Sequence, residues 1–308
     1  MRFANEAAAM ALCVLNKCSD EVMPDGPWRW LCAVQNGTRL PIAASLEEGF
    51  LHLACQPGTI GRSTCTLERA LEGNITLAGG VKLVLGKLDE LDELDELKKA
   101  SSGLHLTTDI VVLEEKQLLD RFRWALDGFH HGVGLLKSLD SDCRGDRAAT
   151  RRAVSIAGDL GELLRETQWP STERGPNDFS ANLDADSAPP ARIRMTESGV
   201  ELSVELVRSN RAASRRALAV FLLTATSALR MARACAVEAD GQTSFGLQVG
   251  LPVAPAMEEI DHALAALSIA HRMCAREANV LLNDAAARCY LAARDVSTNH
   301  QPGYEEEN

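Results

Sequence analysis

The sequence predicts an α+β protein built from two tandem copies of one unit. Each copy reads helix, three strands, helix, two strands, helix, with a small antiparallel sheet in each copy, and the two are packed as a pseudo-dimer. Three observations predict this. An alternating strand recurs 141 positions along the chain, each occurrence runs into a long helix, and each copy carries a glycine-turn hairpin upstream.

Taken in order, Phe3, Ala7, Met10, Ala11 and Val14 recur at helical spacing and predict an amphipathic first helix. Trp28, Trp30, Cys32 and Val34 then alternate with other residues as a strand does, closed by Asn36-Gly37, a tight-turn dipeptide. Leu40, Ile42, Ala44 and Leu46 lead through Glu47-Glu48-Gly49 into Leu51 and Leu53, a hairpin. A short helix follows near Cys65–Leu71, then a strand over Val81–Leu85. Leu104, Leu106, Thr108, Ile110 and Val112 alternate with His105, Thr107, Asp109 and Val111 as a half-buried strand. Glu114 and Glu115 open the helix after it, where negative charge favours a helix start. Its buried face reads Leu118, Leu119, Phe122, Leu126, Phe129, Val133 and Leu136.

The second copy begins with a helix over Ala148–Gln168. Residues 169–190, rich in Pro, Asn and Asp, read mostly as loop, with a weak strand at Phe179–Asp186. Ile193 and Met195, Glu197-Ser198-Gly199, then Val200, Leu202, Val204 and Leu206 form its hairpin. A helix over Ser214–Arg233 buries Leu218, Phe221, Leu222, Ala225 and Leu229. Phe245, Leu247, Val249, Leu251 and Val253 repeat the late strand, and Glu258 and Glu259 open the final helix. At the same offset Asp120 meets Asp261, Ala125 meets Ala266, Leu126 meets Leu267 and His130 meets His271. Gly49 and Gly199 lie 150 apart; the nine extra residues equal the Leu-Asp-Glu triplets at 88–96, which read as an insertion forming a solvated acidic connector. The copies are bounded at 1–140 and 141–308. Glu305 to Glu307 read as a disordered tail.

Net charge is −11, which argues against a general nucleic-acid binder, since phosphate contacts need clustered Lys and Arg. Arg147, Arg151 and Arg152 come nearest to a basic patch and read as a solvated helix start. With 46% hydrophobic and 24% charged residues, the chain can bury real cores. The best membrane candidate, Ala217–Leu229, is too short and is broken by Thr224, Thr226 and Ser227. Nine cysteines, an odd number without a CxxC pair, fit a reducing compartment better than a disulfide framework. Cys13, Cys55, Cys235, Cys274 and Cys289 sit among apolar neighbours. A cytoplasmic location is expected.

This element order, with a small antiparallel sheet and a long helix after the final strand, resembles the type III secretion chaperone fold and the related YbjN-like proteins. The resemblance spans nearly the whole chain as two tandem units. It implies an acidic module that binds an extended segment of a partner protein along exposed strands and apolar grooves. Because such proteins are typically homodimers, the fused pair implies a monomer acting as a pseudo-dimer.

Chemical motifs are few. Gly80 to Leu88 fails as a phosphate loop, having one residue too many and Leu88 where Ser or Thr must hold magnesium. Gly128, Gly132 and Gly134 do not make a dinucleotide fingerprint, and neither G-x-S-x-G nor H-E-x-x-H occurs. His130 and His131 point about 100° apart on a helix. His271 and Cys274 share a face but are too few for structural zinc. No catalytic residue, cofactor or metal is expected.

The leading expectation is a non-enzymatic, chaperone- or adaptor-like module binding a peptide segment of a partner protein, with no nucleic-acid or membrane partner. Trp28 and Trp30 are the candidate contacts, with core packing as the competing reading of each. One alternative is an enzyme or small-molecule-binding protein with a site at the junction of the copies, for which His52, His105 or the cysteines in a deep polar cavity would speak. The other is a structural or regulatory subunit, which predicts an exposed apolar patch.

Overall fold

The computed structural model describes residues 2–36, 38–55, 64–86, 103–140, 160–183, 188–239 and 241–294. Helix α1 (Arg2–Cys18) leads into a four-strand meander, β1 (Glu21–Pro24), β2 (Arg29–Asn36), β3 (Thr38–Glu47) and β4 (Phe50–Cys55). Helix α2 (Thr64–Asn74), β5 (Lys82–Gly86), β6 (Gly103–Val111) and α3 (Glu115–Asp140) complete the first unit. The second repeats the plan with α4 (Leu160–Glu166), β7 (Ser171–Gly175), β8 (Asp178–Ala181), β9 (Ala191–Thr196) and β10 (Gly199–Ser209). It continues with α5 (Ala212–Ala225), β11 (Arg233–Ala239), β12 (Gln242–Leu251), α6 (Met257–Val280) and a further helix, α7 (Asp284–Ala293).

The fold is α+β, with two antiparallel sheets of six strands each. Their orders are β1-β2-β3-β4-β6-β5 and β11-β12-β10-β9-β8-β7, the same order read from opposite ends. In each, the unit's last strand inserts between the meander and the fifth strand.

Several expectations need correction. Each unit has four strands before its middle helix, not three. The added strands, β1 and β7, lie at sheet edges with mostly exposed residues, so neither carries a buried face to write alternation into the sequence. The helix expected over Ser214–Arg233 ends at Ala225; a 3-10 turn, Thr226–Ala228, follows, and Arg233 begins β11. The first four residues of β11 are buried whichever face they occupy, so no period marks that strand. Strand β6, read as half-buried, is buried on both faces, because residues 227–231 of the second unit lie over the side away from α3. Of the helix expected at Ala148–Gln168, only residues from Leu160 lie within the described residues. The Leu-Asp-Glu repeat, Arg147, Arg151, Arg152 and the acidic tail lie outside them.

The hairpins form as the turn chemistry requires. Glu48 (φ 49°) and Gly49 (φ 84°) both take the left-handed conformation between β3 and β4, as a two-residue turn that follows strand twist demands. At Gly199 (φ 137°), a Cβ would lie 1.9 Å from the Leu251 carbonyl oxygen, so only glycine fits between β9 and β10.

On the helix side of the first sheet, Cys32, Ile42, Leu53 and Leu106 are buried with Val14 and Leu15 of α1 and Phe122 and Phe129 of α3. Each such valine, leucine, isoleucine or phenylalanine contributes about 1.5–3 kcal/mol on burial. The middle helices cross over between units: α2 packs on α5 and β11, and α5 packs on β5. Asn74, fully buried at the end of α2, donates to the carbonyls of Leu83 (3.0 Å) and Ala234 (2.9 Å), one from each unit's edge strand.

Two buried cations reinforce this junction reciprocally. Lys82 of β5 lies opposite Thr107, and Arg233 of β11 lies opposite Gln248, the position 141 residues on. Lys82 Nζ donates to the carbonyls of Thr226 (3.1 Å) and Leu229 in the second unit. Arg233 Nη1 donates to the carbonyls of Leu77 (2.7 Å) and Val81 (3.1 Å) in the first. Across the helix starts, Arg121 of α3 makes a two-pronged ion pair with Glu259 of α6, at 2.7 and 2.9 Å.

Candidate functional site

Where the second unit covers the first sheet, it leaves a cavity of about 390 Å³. Its floor follows from strand register. Arg29 of β2 lies opposite Ser45 of β3, Ser45 opposite His52 of β4, and His52 opposite Asp109 of β6. Side chains directly opposite share a face, so residues distant in sequence stand in one row. The next row on that face reads Ala43, Ala54, Thr107 and Lys82. Its two alanines leave the room that the cavity occupies. The roof is the 3-10 turn and its continuation, Ser227 to Arg230.

The central contact is between His52 Nδ1 and Asp109 Oδ1, at 2.8 Å. An ionised carboxylate only accepts, so Nδ1 carries the proton and Nε2 is the ring nitrogen left for the cavity. Asp109 is held from two further sides: its Oδ2 accepts from the Met231 amide at 2.8 Å and lies 3.7 Å from Lys82 Nζ. Burial pushes the Asp109 carboxyl upward, but the Lys82 charge, His52 and the Met231 N–H override it and hold the group well below the usual carboxylate range. Burial lowers Lys82 in turn, opposed by the Asp109 charge.

These contacts also fix the roof. Met231 takes a left-handed conformation (φ 55°) to present its amide to Asp109. Arg230 bonds Glu47 Oε2 (3.2 Å) and Glu48 Oε2 (3.4 Å) and stacks 5.1 Å from the centre of the Phe50 ring. One carboxylate thus orients the imidazole and joins the two units.

His105 also lines the cavity. Burial pushes it down to about 4, only partly opposed by the Gly103 carbonyl at 3.3 Å from Nδ1, so the ring is neutral at neutral pH. Thr107 is 2% exposed, and its hydroxyl is buried without a hydrogen-bond partner. Such a group costs free energy unless something in the cavity satisfies it.

Chemically, a carboxylate that holds Nδ1 turns Nε2 to the cavity, where the neutral form of the ring accepts a proton or an O–H hydrogen bond, the arrangement a general base requires. The second unit does not repeat it. Glu201 and Gly250 face each other there, and Gly250 stands 141 positions after Asp109.

Of the residues singled out from sequence, His52 and His105 meet in this cavity. Trp30 is buried in the core with its strand backing the cavity, whereas Trp28 precedes β2 in a left-handed turn (φ 65°) and is half-buried. Cys55, Cys235 and Cys274 are buried, their thiols pushed up to about 12, 11 and 11, which removes them as nucleophiles. Cys289 is exposed, contrary to its apolar sequence context. His130 and His271 occupy matching places on α3 and α6; His130 Nδ1 meets the Leu126 carbonyl at 2.8 Å, and burial lowers His271. Sequence reading missed Asp109, Ser45 and Thr107, because only the strand register puts them beside His52.

No helix among the described residues is long and apolar enough to cross a membrane. Compared with models of known protein families, with curated proteins and with solved structures, the chain matches none.

Proposed function

We propose that the chain binds a small polar molecule in the cavity between its two units. The observation that carries this reading is the oriented His52–Asp109 pair within a cavity of about 390 Å³, near the lower end of the roughly 300–1,000 Å³ range of ligand pockets. A group bound only by the folded chain raises its unfolding temperature. A thermal-shift screen of small polar compounds against the wild type and Ala54→Leu, which fills the floor, tests it. Compounds that stabilise the wild type and not the variant support the reading; compounds that stabilise both alike overturn it.

A partner-binding, chaperone- or adaptor-like reading stands second. Its support is the pairing of two like units in one chain, together with Ile269, Met273 and Val280, roughly half-exposed along α6. Affinity capture separates the two readings. A companion protein lost with Met273→Asp but kept with Ala54→Leu favours partner binding. Loss with neither, or with Ala54→Leu alone, counts against it.

A further inference from the structure

We infer that the ligand of this cavity is a neutral molecule with at least two hydroxyl groups, held between His52 Nε2 and the Thr107 hydroxyl. The inference rests on the cavity being a binding site and adds the class of compound. His52 Nδ1 faces Asp109, which leaves Nε2 to the cavity; in the neutral ring Nε2 carries a lone pair that accepts an O–H or N–H from the ligand. The Thr107 hydroxyl, buried and unpartnered on the same face, can both donate and accept.

Charge complementarity excludes ionic ligands from the floor. The Lys82 ammonium is committed to the Thr226 and Leu229 carbonyls and to Asp109. Asp109 is committed to His52, Met231 and Lys82. An anion there would find no free cation, and a cation would find no free carboxylate. At the rim, Arg230 is outnumbered by Glu47 and Glu48, and Arg29 is taken by Asp25 at 3.9 Å, so no cation there is left for an anion either.

Spacing points the same way. Thr107 lies two residues from Asp109 on β6, on the diagonal from His52, and diagonal neighbours stand roughly 7–8 Å apart. One ligand with several hydroxyls bridges that gap over the Ala43 and Ala54 methyls, whereas a single hydroxyl reaches one partner and leaves the other unsatisfied.

The test is a titration of the full chain, followed by NMR of the His52 ring and Thr107 methyl. The probes are glycerol, glucose and inositol, with gluconate and glycerol phosphate as anionic counterparts. Saturable shifts with a neutral probe are expected, weakened roughly two- to tenfold by Thr107→Val, as for loss of one hydrogen bond, and restored by Thr107→Ser. Long-range proton–nitrogen correlations should place the ring proton on Nδ1. If only the anions bind, or if Thr107→Val binds the neutral probe as well as wild type does, the compound class is wrong while the cavity remains a site. If no probe of either kind perturbs these resonances, both readings fall.

Discussion

Replacing His105 should remove about 2 kcal/mol of the chain's loss of stability between pH 7 and pH 5. His105 is 5% exposed, and burial lowers it to about 4, whereas an unfolded chain titrates near the ordinary value of about 6.5. Between those values the unfolded state takes up a proton and the folded state does not. Stability from this group is therefore full above about pH 6.5 and lost as pH falls towards 4. The two values give a loss of about 2 kcal/mol between pH 7 and pH 5. Asp109 is silent in this window, because its depressed value matters only below the unfolded carboxylate range near pH 4. His271, lowered by burial, contributes with the same sign in wild type and variant and cancels from the comparison. Urea unfolding of wild type and His105→Leu at both pH values measures the difference directly. The variant starts less stable, so only its change with pH is informative. An equal pH-dependent loss in the two proteins would refute the burial argument.

Asp109→Asn strands the buried Lys82 charge and should cost about 3–5 kcal/mol; adding Lys82→Met should recover part of that loss, so the double variant unfolds at higher urea than the single one. Additive losses in the two single variants would show that the ion pair is not what couples them. Gly199→Ala places a methyl 1.9 Å from the Leu251 oxygen and should cost about 2 kcal/mol or more, whereas Gly49→Ala meets nothing within 4 Å and should cost only the left-handed penalty of about 1 kcal/mol. Thermal unfolding that ranked these two in the other order would contradict the packing assigned to the β9–β10 turn.

The sequence makes legible those elements whose two faces differ. Strands β3 and β12 and helices α3 and α6 each carry an apolar period, and their positions follow from it. The edge strands β1 and β7 carry none, because exposure leaves their residues unconstrained. Strand β11 carries none for the opposite reason, being buried through its first four residues. The site was half legible. His52 and His105 stood out as residue types that a junction cavity would use, but the carboxylate that orients His52 is 57 positions away. Asp109 reads in the sequence as the solvent side of an alternating strand. Only the second unit, laid across that side, turns a surface aspartate into a buried anchor.

A two-fold homodimer writes every substitution twice, so a residue suited to the floor of one site must also be tolerated on the opposite subunit. Carrying both units in one chain lifts that constraint. The second unit sets Glu201 opposite Gly250, 141 positions after Asp109, and gives the first a roof through Arg230 and Met231 instead. The division of labour is also indifferent to dilution, since covalent linkage keeps the roof at a fixed effective concentration over the floor. At nanomolar protein, where a dissociable pair would have come apart, floor and roof still meet in every molecule.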